Sequence, residues 1–195
     1  MNFLAHILLS YNDKEVQIGN FIGDAVKGNK YLDYSDGIKN GILLHRRIDN
    51  FTDNNSIVKQ GVERFKPKYG RYSAIVMDIF YDYFLIKNWD KYSDISLDKF
   101  ARDFHINLLK HYLVIPARAR KITVSIIVNR WLHRYATKDG LTEVLDKMAF
   151  YRNIPNESAF AISVLTEFED EFNEEFLLFF DELIEFVELN NKQIK

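Results

Sequence analysis

The chain has 195 residues, 47% of them hydrophobic and 28% charged, which suits one globular domain with its own core. It has no cysteine, which excludes disulfides, thiolate metal sites and cysteine nucleophiles, and no apolar run of the roughly 18 residues a membrane span needs. The net charge of −2 hides a segregation: residues 165–189 hold ten acids and no Lys or Arg, whereas residues 104–138 hold no acid. That acid-free stretch carries Lys110, Arg118, Arg120, Lys121, Arg130, Arg134 and Lys138. A one-sign surface favours an anionic partner, either a phosphorylated ligand or an acidic protein. The alternative is that it packs against the acidic C-terminal segment.

Helical spacing recurs between the three prolines, and it predicts helices over 2–11, 16–28, 36–50, 53–65, 70–89, 96–112, 118–136, 140–151 and 158–190, the last broken once. The start is apolar but has no basic flank or small-residue cleavage site, so no signal peptide is expected and a cytoplasmic protein is. Gly28-Asn29 reads as a helix stop, Asp139-Gly140 as a turn and Ser96 as an N-cap. Residues 122–128 are rich in β-branched side chains, yet no second convincing strand exists to pair with them, and they are read as a buried helix. The last segment alternates acids with phenylalanines near helical spacing, as an amphipathic helix docked on the core does. Its acidic polar face argues against a membrane-surface role. The expected fold is one all-α domain over residues 1–195.

Two pairs carry the chemistry. His45 with Asp49, and Asp78 with Asp82, are each spaced i, i+4 and so share a helical stripe. The first stripe also carries Ile38 and Ile42; the second lies in a segment, Ala74 to Leu85, that is apolar nearly all round. A helix of that kind is buried, and buried carboxylates need partners. A metal ion is one such partner. Arg46 and Arg47 are the rival, as structural counter-ions to Asp78 and Asp82 or, beside a metal, as binders of a phosphate. Asp24 follows Gly19, Asn20 and Gly23, and those glycines let a backbone or ligand come close. His6 alone reads as a hydrogen-bonded core residue, and Asp53 as a candidate N-cap. His105, His111 and His133 form no site pattern, and no nucleophile elbow or phosphate-binding glycine loop is present. Carboxylate-rich ligation with one or two imidazoles suits Mn²⁺ or Mg²⁺ above Fe or Zn, and such an ion activates water against a phosphoester.

Several stretches together resemble the acyl carrier protein phosphodiesterase family. They are Asn2 to His6; Gly19-Asn20 through Asp24 to Gly28; Gly41 through Leu44-His45-Arg46-Arg47-Ile48-Asp49 with Thr52-Asp53; Asp78, Asp82, Phe84-Leu85 and Trp89; and Trp131-Leu132 with Arg134-Tyr135. The resemblance implies an all-helical enzyme distantly similar to HD-domain metal phosphohydrolases, although no adjacent His-Asp doublet occurs here. It implies hydrolysis of the phosphodiester joining 4'-phosphopantetheine to a serine of holo-acyl carrier protein, with Mn²⁺. It also implies Asp24, His45, Asp49 and Asp78 as the metal shell, with Asp82 and His6 as acid/base or supporting groups. The partner is then an acidic carrier protein, not nucleic acid or membrane, steered to residues 104–138, with Arg64, Lys66, Lys68 and Arg71 a second candidate surface. Two alternatives are a phosphohydrolase of a nucleotide or other small phosphoester, and a non-catalytic helical binding protein.

Overall fold

The computed structural model describes residues 3–128 and 134–191. Among them every regular element is helical and none is a strand, as expected. The α-helices are α1 (Phe3–Leu8), α2 (Lys14–Ile22), α3 (Asp36–Asn54), α4 (Ser56–Glu63), α5 (Lys66–Tyr69), α6 (Ser73–Lys87), α7 (Trp89–Tyr92), α8 (Leu97–Lys110), α9 (Ala117–Val128), α10 (Lys138–Arg152), α11 (Ser158–Glu167) and α12 (Glu169–Asn191). Short 3-10 turns lie at Gly23–Ala25, Gly28–Asp33 and Gly70–Tyr72. None of the described helices is long and apolar enough to cross a membrane.

Side-chain caps set several boundaries. Ser96 accepts from Lys99 N and opens α8, as its sequence indicates. Asp13 accepts from Glu15 N and Val16 N, so α2 begins earlier than its apolar pattern does. That helix also ends at Ile22, well before Gly28, because the chain tightens into the 3-10 turn that carries Asp24. Asp53 is no cap: α3 runs on to Asn54, and Asn55 caps α4 through Ile57 N and Val58 N. Nor do Asp139 and Gly140 form a turn between helices. They lie in the first turn of α10, behind Thr137, whose hydroxyl accepts from Gly140 N. Residues 122–128 are helical within α9. Arg130, Trp131, Leu132 and His133 lie outside the described residues.

The chain divides into two compact units. One contains Phe3–Asn50 and residues 88–128. In it α2 and α3 cross backbone to backbone: a Cβ on Gly19 would stand 2.0 Å from Ile38 O, and one on Gly41 would stand 2.2 Å from Val16 O. Only glycine at both positions permits this approach. The crossing fixes Asn20 on one helix and, one turn beyond Gly41, His45 on the other. Phe21 packs between Phe3 and Phe104, with ring centroids 5.3 and 5.6 Å away, and so joins α2 to α1 and α8. Buried Asn107 of α8 adds hydrogen bonds to Lys14 O and Gln17 Oε1.

The other unit contains Phe51–Lys87 and residues 134–191, and here the aromatic richness is spent. Helix α6 buries residues all round, as its apolar sequence requires. Phe65 meets Phe80 edge-on at 5.3 Å and stacks on Phe172 at 5.6 Å; Tyr81 stacks on Phe179 at 5.1 Å and Phe51 on Phe186 at 4.6 Å. Such ring pairs add about 0.5–1.5 kcal/mol each beyond the area they bury. Arg64 makes a bidentate pair with Glu175 and lies over the ring of Phe172, tying α4 to α12.

Candidate functional site

The candidate site lies wholly in the first unit. His6 on α1 and His45 on α3 are buried, 1% and 6% exposed. Their rings stack with centroids 4.2 Å apart and planes 25° from parallel. Asp49, one turn beyond His45 on α3, serves both: its Oδ1 is 3.2 Å from His6 Nε2 and its Oδ2 is 3.0 Å from His45 Nε2. Asp24, in the 3-10 turn after α2, is largely exposed and brings Oδ1 to 3.7 Å from His45 Nε2. A cavity of about 270 Å³ opens over this group, bounded by Gly23, Asp24, Lys27, His45, Arg46 and Asp49 among others.

Two local devices aim the imidazoles. His6 Nδ1 lies 2.7 Å from Asn20 Oδ1. The His45 side chain packs directly against Gly23, where a Cβ would approach the ring carbon Cγ to 2.3 Å. That explains a glycine in front of Asp24.

The ionisation states follow from burial and contact. Burial, reinforced by the charge of His45, lowers His6 to about 4, so it is neutral at pH 7. Burial pushes His45 down as well, but Asp24 and Asp49 overcome it and raise the ring to about 9. Burial raises Asp49, and its contacts with His45 and His6 together outweigh that, holding the carboxyl far below the usual range. Contact with His45 likewise lowers Asp24.

One ligand atom from each of His6, His45 and Asp49 lies within 4.8 Å of the others, a group able to hold a metal ion. Both Nε2 atoms are buried with no partner in hydrogen-bonding geometry, and a metal ion satisfies imidazole nitrogens of this kind. The donor set of two imidazoles and a carboxylate, with a second carboxylate beside it, suits a divalent ion of hard or borderline character. The residues fit the group that the sequence implies.

Of the residues expected at the site, Asp24, His45, Asp49 and His6 come together. Arg46 borders the cavity, but its Nη2 donates to Val26 O at 3.0 Å and Gly28 O at 2.8 Å, and it lies over the Tyr31 ring. Its guanidinium therefore braces the 26–28 loop. Arg47 follows on the same helix, half-buried and turned about 100° from Arg46. Asp78, half-buried, and Asp82, buried, sit on α6 in the other unit. The sequence marks Asn20 and Gly23 only as neighbours of Asp24, one by its place a turn earlier and the other as a glycine that lets a ligand come close, and it gives Lys27 no role.

The basic segments differ in how they are compensated. Arg64 pairs with Glu175, Lys66 with Glu63 and Lys68 with Glu157. In the acid-free stretch, Arg134 pairs with Glu143 and Lys138 with Glu169 of the acidic C-terminal segment, whereas Arg120 donates to Ile115 O and Leu113 O and Arg118 donates to Asp24 O, all neutral acceptors. Arg118 thus reaches the edge of the candidate site.

The fold and the site define a protein that is helical throughout its described elements, with two buried histidines and a carboxylate beneath a cavity lined by both acids and bases. The profile of the family described as acyl carrier protein phosphodiesterase matches residues 1–183, and the chain belongs to that family. It is similar to the acyl carrier protein phosphodiesterase of Yersinia enterocolitica, 38% identical over 150 residues, 76% of this chain and 78% of the relative. Its similarity to the protein of that name from Klebsiella pneumoniae is 37% over 153 residues, 78% of this chain and 79% of the relative. With the Photorhabdus laumondii protein of the same name it is 35% over 150 residues, 76% of each chain. No solved structure matches this chain.

Proposed function

We propose that this protein is a Mn²⁺-dependent phosphodiesterase that converts holo-acyl carrier protein to the apo form. Water adds to phosphorus, the bond between phosphorus and the serine oxygen breaks, and a proton passes to that oxygen. The products are apo-carrier protein and 4'-phosphopantetheine. The observation that carries the reading is the meeting of His6, His45 and Asp49, with Asp24 beside them, in a chain whose family bears this activity as its name.

His6, His45, Asp49 and Asp24 are the proposed holders of the ion, which when bound neutralises phosphoryl charge and acidifies a bound water. The family resemblance alone puts forward Asp78 as a further metal ligand and Asp82 as an acid/base group; both stand on α6, and neither is in the group of His6, His45 and Asp49. Lys27 and Arg46 stand at the cavity where the phosphoryl oxygens of a substrate need cations, and Arg46 retains N–H groups beyond the two on Nη2 that brace the loop. The carrier protein docks on the acid-free stretch, which Arg118 joins to the site.

The test is to strip the protein of metal and incubate it with holo-carrier protein or a panel of nucleotides, with and without Mn²⁺. Release of 4'-phosphopantetheine only with Mn²⁺ is the expected result. Loss of phosphate from a nucleotide with the carrier protein untouched would transfer the activity to a small phosphoester.

A further inference from the structure

We propose that Asn20 is a positioning residue that sets the tautomer of His6, keeping the proton on Nδ1 so that Nε2 offers its lone pair to the metal. The inference rests on the metal reading above. Asn20 is fully buried in α2 and its carboxamide is saturated. Its Nδ2 donates to His6 O at 2.7 Å and to Ser10 Oγ at 3.0 Å. Both partners can only accept there: a carbonyl has no proton, and the Ser10 hydroxyl spends its own on His6 O at 2.8 Å. The amide therefore has one possible orientation, with Oδ1 facing His6 Nδ1 at 2.7 Å. An amide oxygen accepts, so Nδ1 is the donor and the neutral ring carries its proton there.

The consequence lies on the other side of the ring. With Nδ1 protonated, Nε2 directs a lone pair at Asp49 Oδ1, 3.2 Å away. Lone pair against carboxylate is repulsive until a cation stands between them. The hydrogen bond to His6 O also anchors the backbone of α1 there, so the one side chain fixes both the position of the ring and which nitrogen binds. Imidazole ligands are commonly oriented by such a partner, and its loss costs about 10–100-fold in metal affinity.

The experiment compares Asn20→Asp with Asn20→Leu. Both lose the amide donors to His6 O and Ser10; only the leucine also loses the acceptor for Nδ1. Long-range proton–nitrogen correlation spectra of the metal-free protein, isotope-labelled at histidine, read the tautomer directly. The unmodified protein and Asn20→Asp should show His6 protonated at Nδ1, and Asn20→Leu a mixture. Calorimetric titration with Mn²⁺ should show Asn20→Leu weakened about 10–100-fold and Asn20→Asp within a few-fold of the unmodified protein. A proton on Nε2 in the unmodified protein would overturn the proposal, and so would equal Mn²⁺ affinities in the two variants. If Asn20→Leu does not fold, the spectrum of the unmodified protein decides. A protein that binds Mn²⁺ yet leaves holo-carrier protein intact would overturn the proposed activity alone, because tautomer and affinity are read without turnover.

Discussion

His6 and His45 stack face to face at 4.2 Å, yet they end in opposite states, His6 lowered to about 4 and His45 raised to about 9. Two imidazolium rings at that distance would repel, and the carboxylates favour the ring that both of them reach. Asp49 is the hinge of the arrangement, since it touches both rings.

Replacing Asp49 should therefore remove the centre without removing the fold. Asp49→Asn keeps the shape of the side chain and discards its charge. Mn²⁺-dependent turnover should be abolished and calorimetric Mn²⁺ binding lost, while the helical circular dichroism stays unchanged. Full turnover in this variant would take Asp49 out of the metal shell.

Gly23 makes a sharper test of position, because it bears no functional group. A methyl added there would sit 2.3 Å from His45 Cγ, and the ring would have to move. Displacing a reacting or ligating group by about 1 Å can cost on the order of 10²-fold in rate. Gly23→Ala should lose activity on that scale with only a modest fall in melting temperature. A variant that keeps its rate would mean that the His45 ring can shift without consequence.

The sequence exposes this centre unevenly. His45 and Asp49 are legible because 3.6 residues per turn brings i and i+4 onto one stripe, and the burial of α6 is legible from its unbroken apolar run. The role of His6 in the cluster is not, since α1 is brought to α3 by tertiary packing, where the His6 and His45 rings stack. Asn20 shares the stripe of Asp24 in the sequence, but its pairing with His6 is hidden for the same reason. Asp53 has the side chain of a cap, yet Phe51 stacks on Phe186 and holds the last turn of α3 in the helix, so the cap falls to Asn55. Residues 122–128 favour a strand by propensity, but a lone strand has no ladder to join, and helix is what remains.

Glu169 gives a pH test far from the chemistry. It accepts from Lys138 at 2.7 Å, Lys87 at 2.8 Å and Tyr83 at 2.7 Å. The ammonium of Lys138 first, then that of Lys87, lowers the carboxyl from 4.5 to about 2. A carboxyl depressed on folding stabilises the fold fully above its unfolded value and loses that contribution as the pH falls toward its folded value. The urea midpoints of the unmodified protein and of Glu169→Gln should thus differ by a constant amount near neutrality. The gap should close between about pH 4.5 and 2. A gap that does not change with pH would mean that the lysines do not hold this carboxylate.

Docking can be separated from chemistry on the acid-free stretch, provided the right cations are chosen. Arg118 and Arg120 brace backbone carbonyls, so reversing them would disturb structure as well as charge. Lys110 and Lys121 are exposed, on α8 and α9. Long-range attraction between a cationic surface and an acidic carrier protein raises the encounter rate and fades with salt, leaving the bound complex to react as before. The double variant Lys110→Glu, Lys121→Glu should therefore raise KM for the carrier protein and flatten the salt dependence of kcat/KM. Its kcat should stay unchanged, as should its rate on any small phosphodiester the enzyme accepts. A fall in kcat with KM unchanged would place these lysines in the catalytic step, and no change in either would move the docking surface elsewhere.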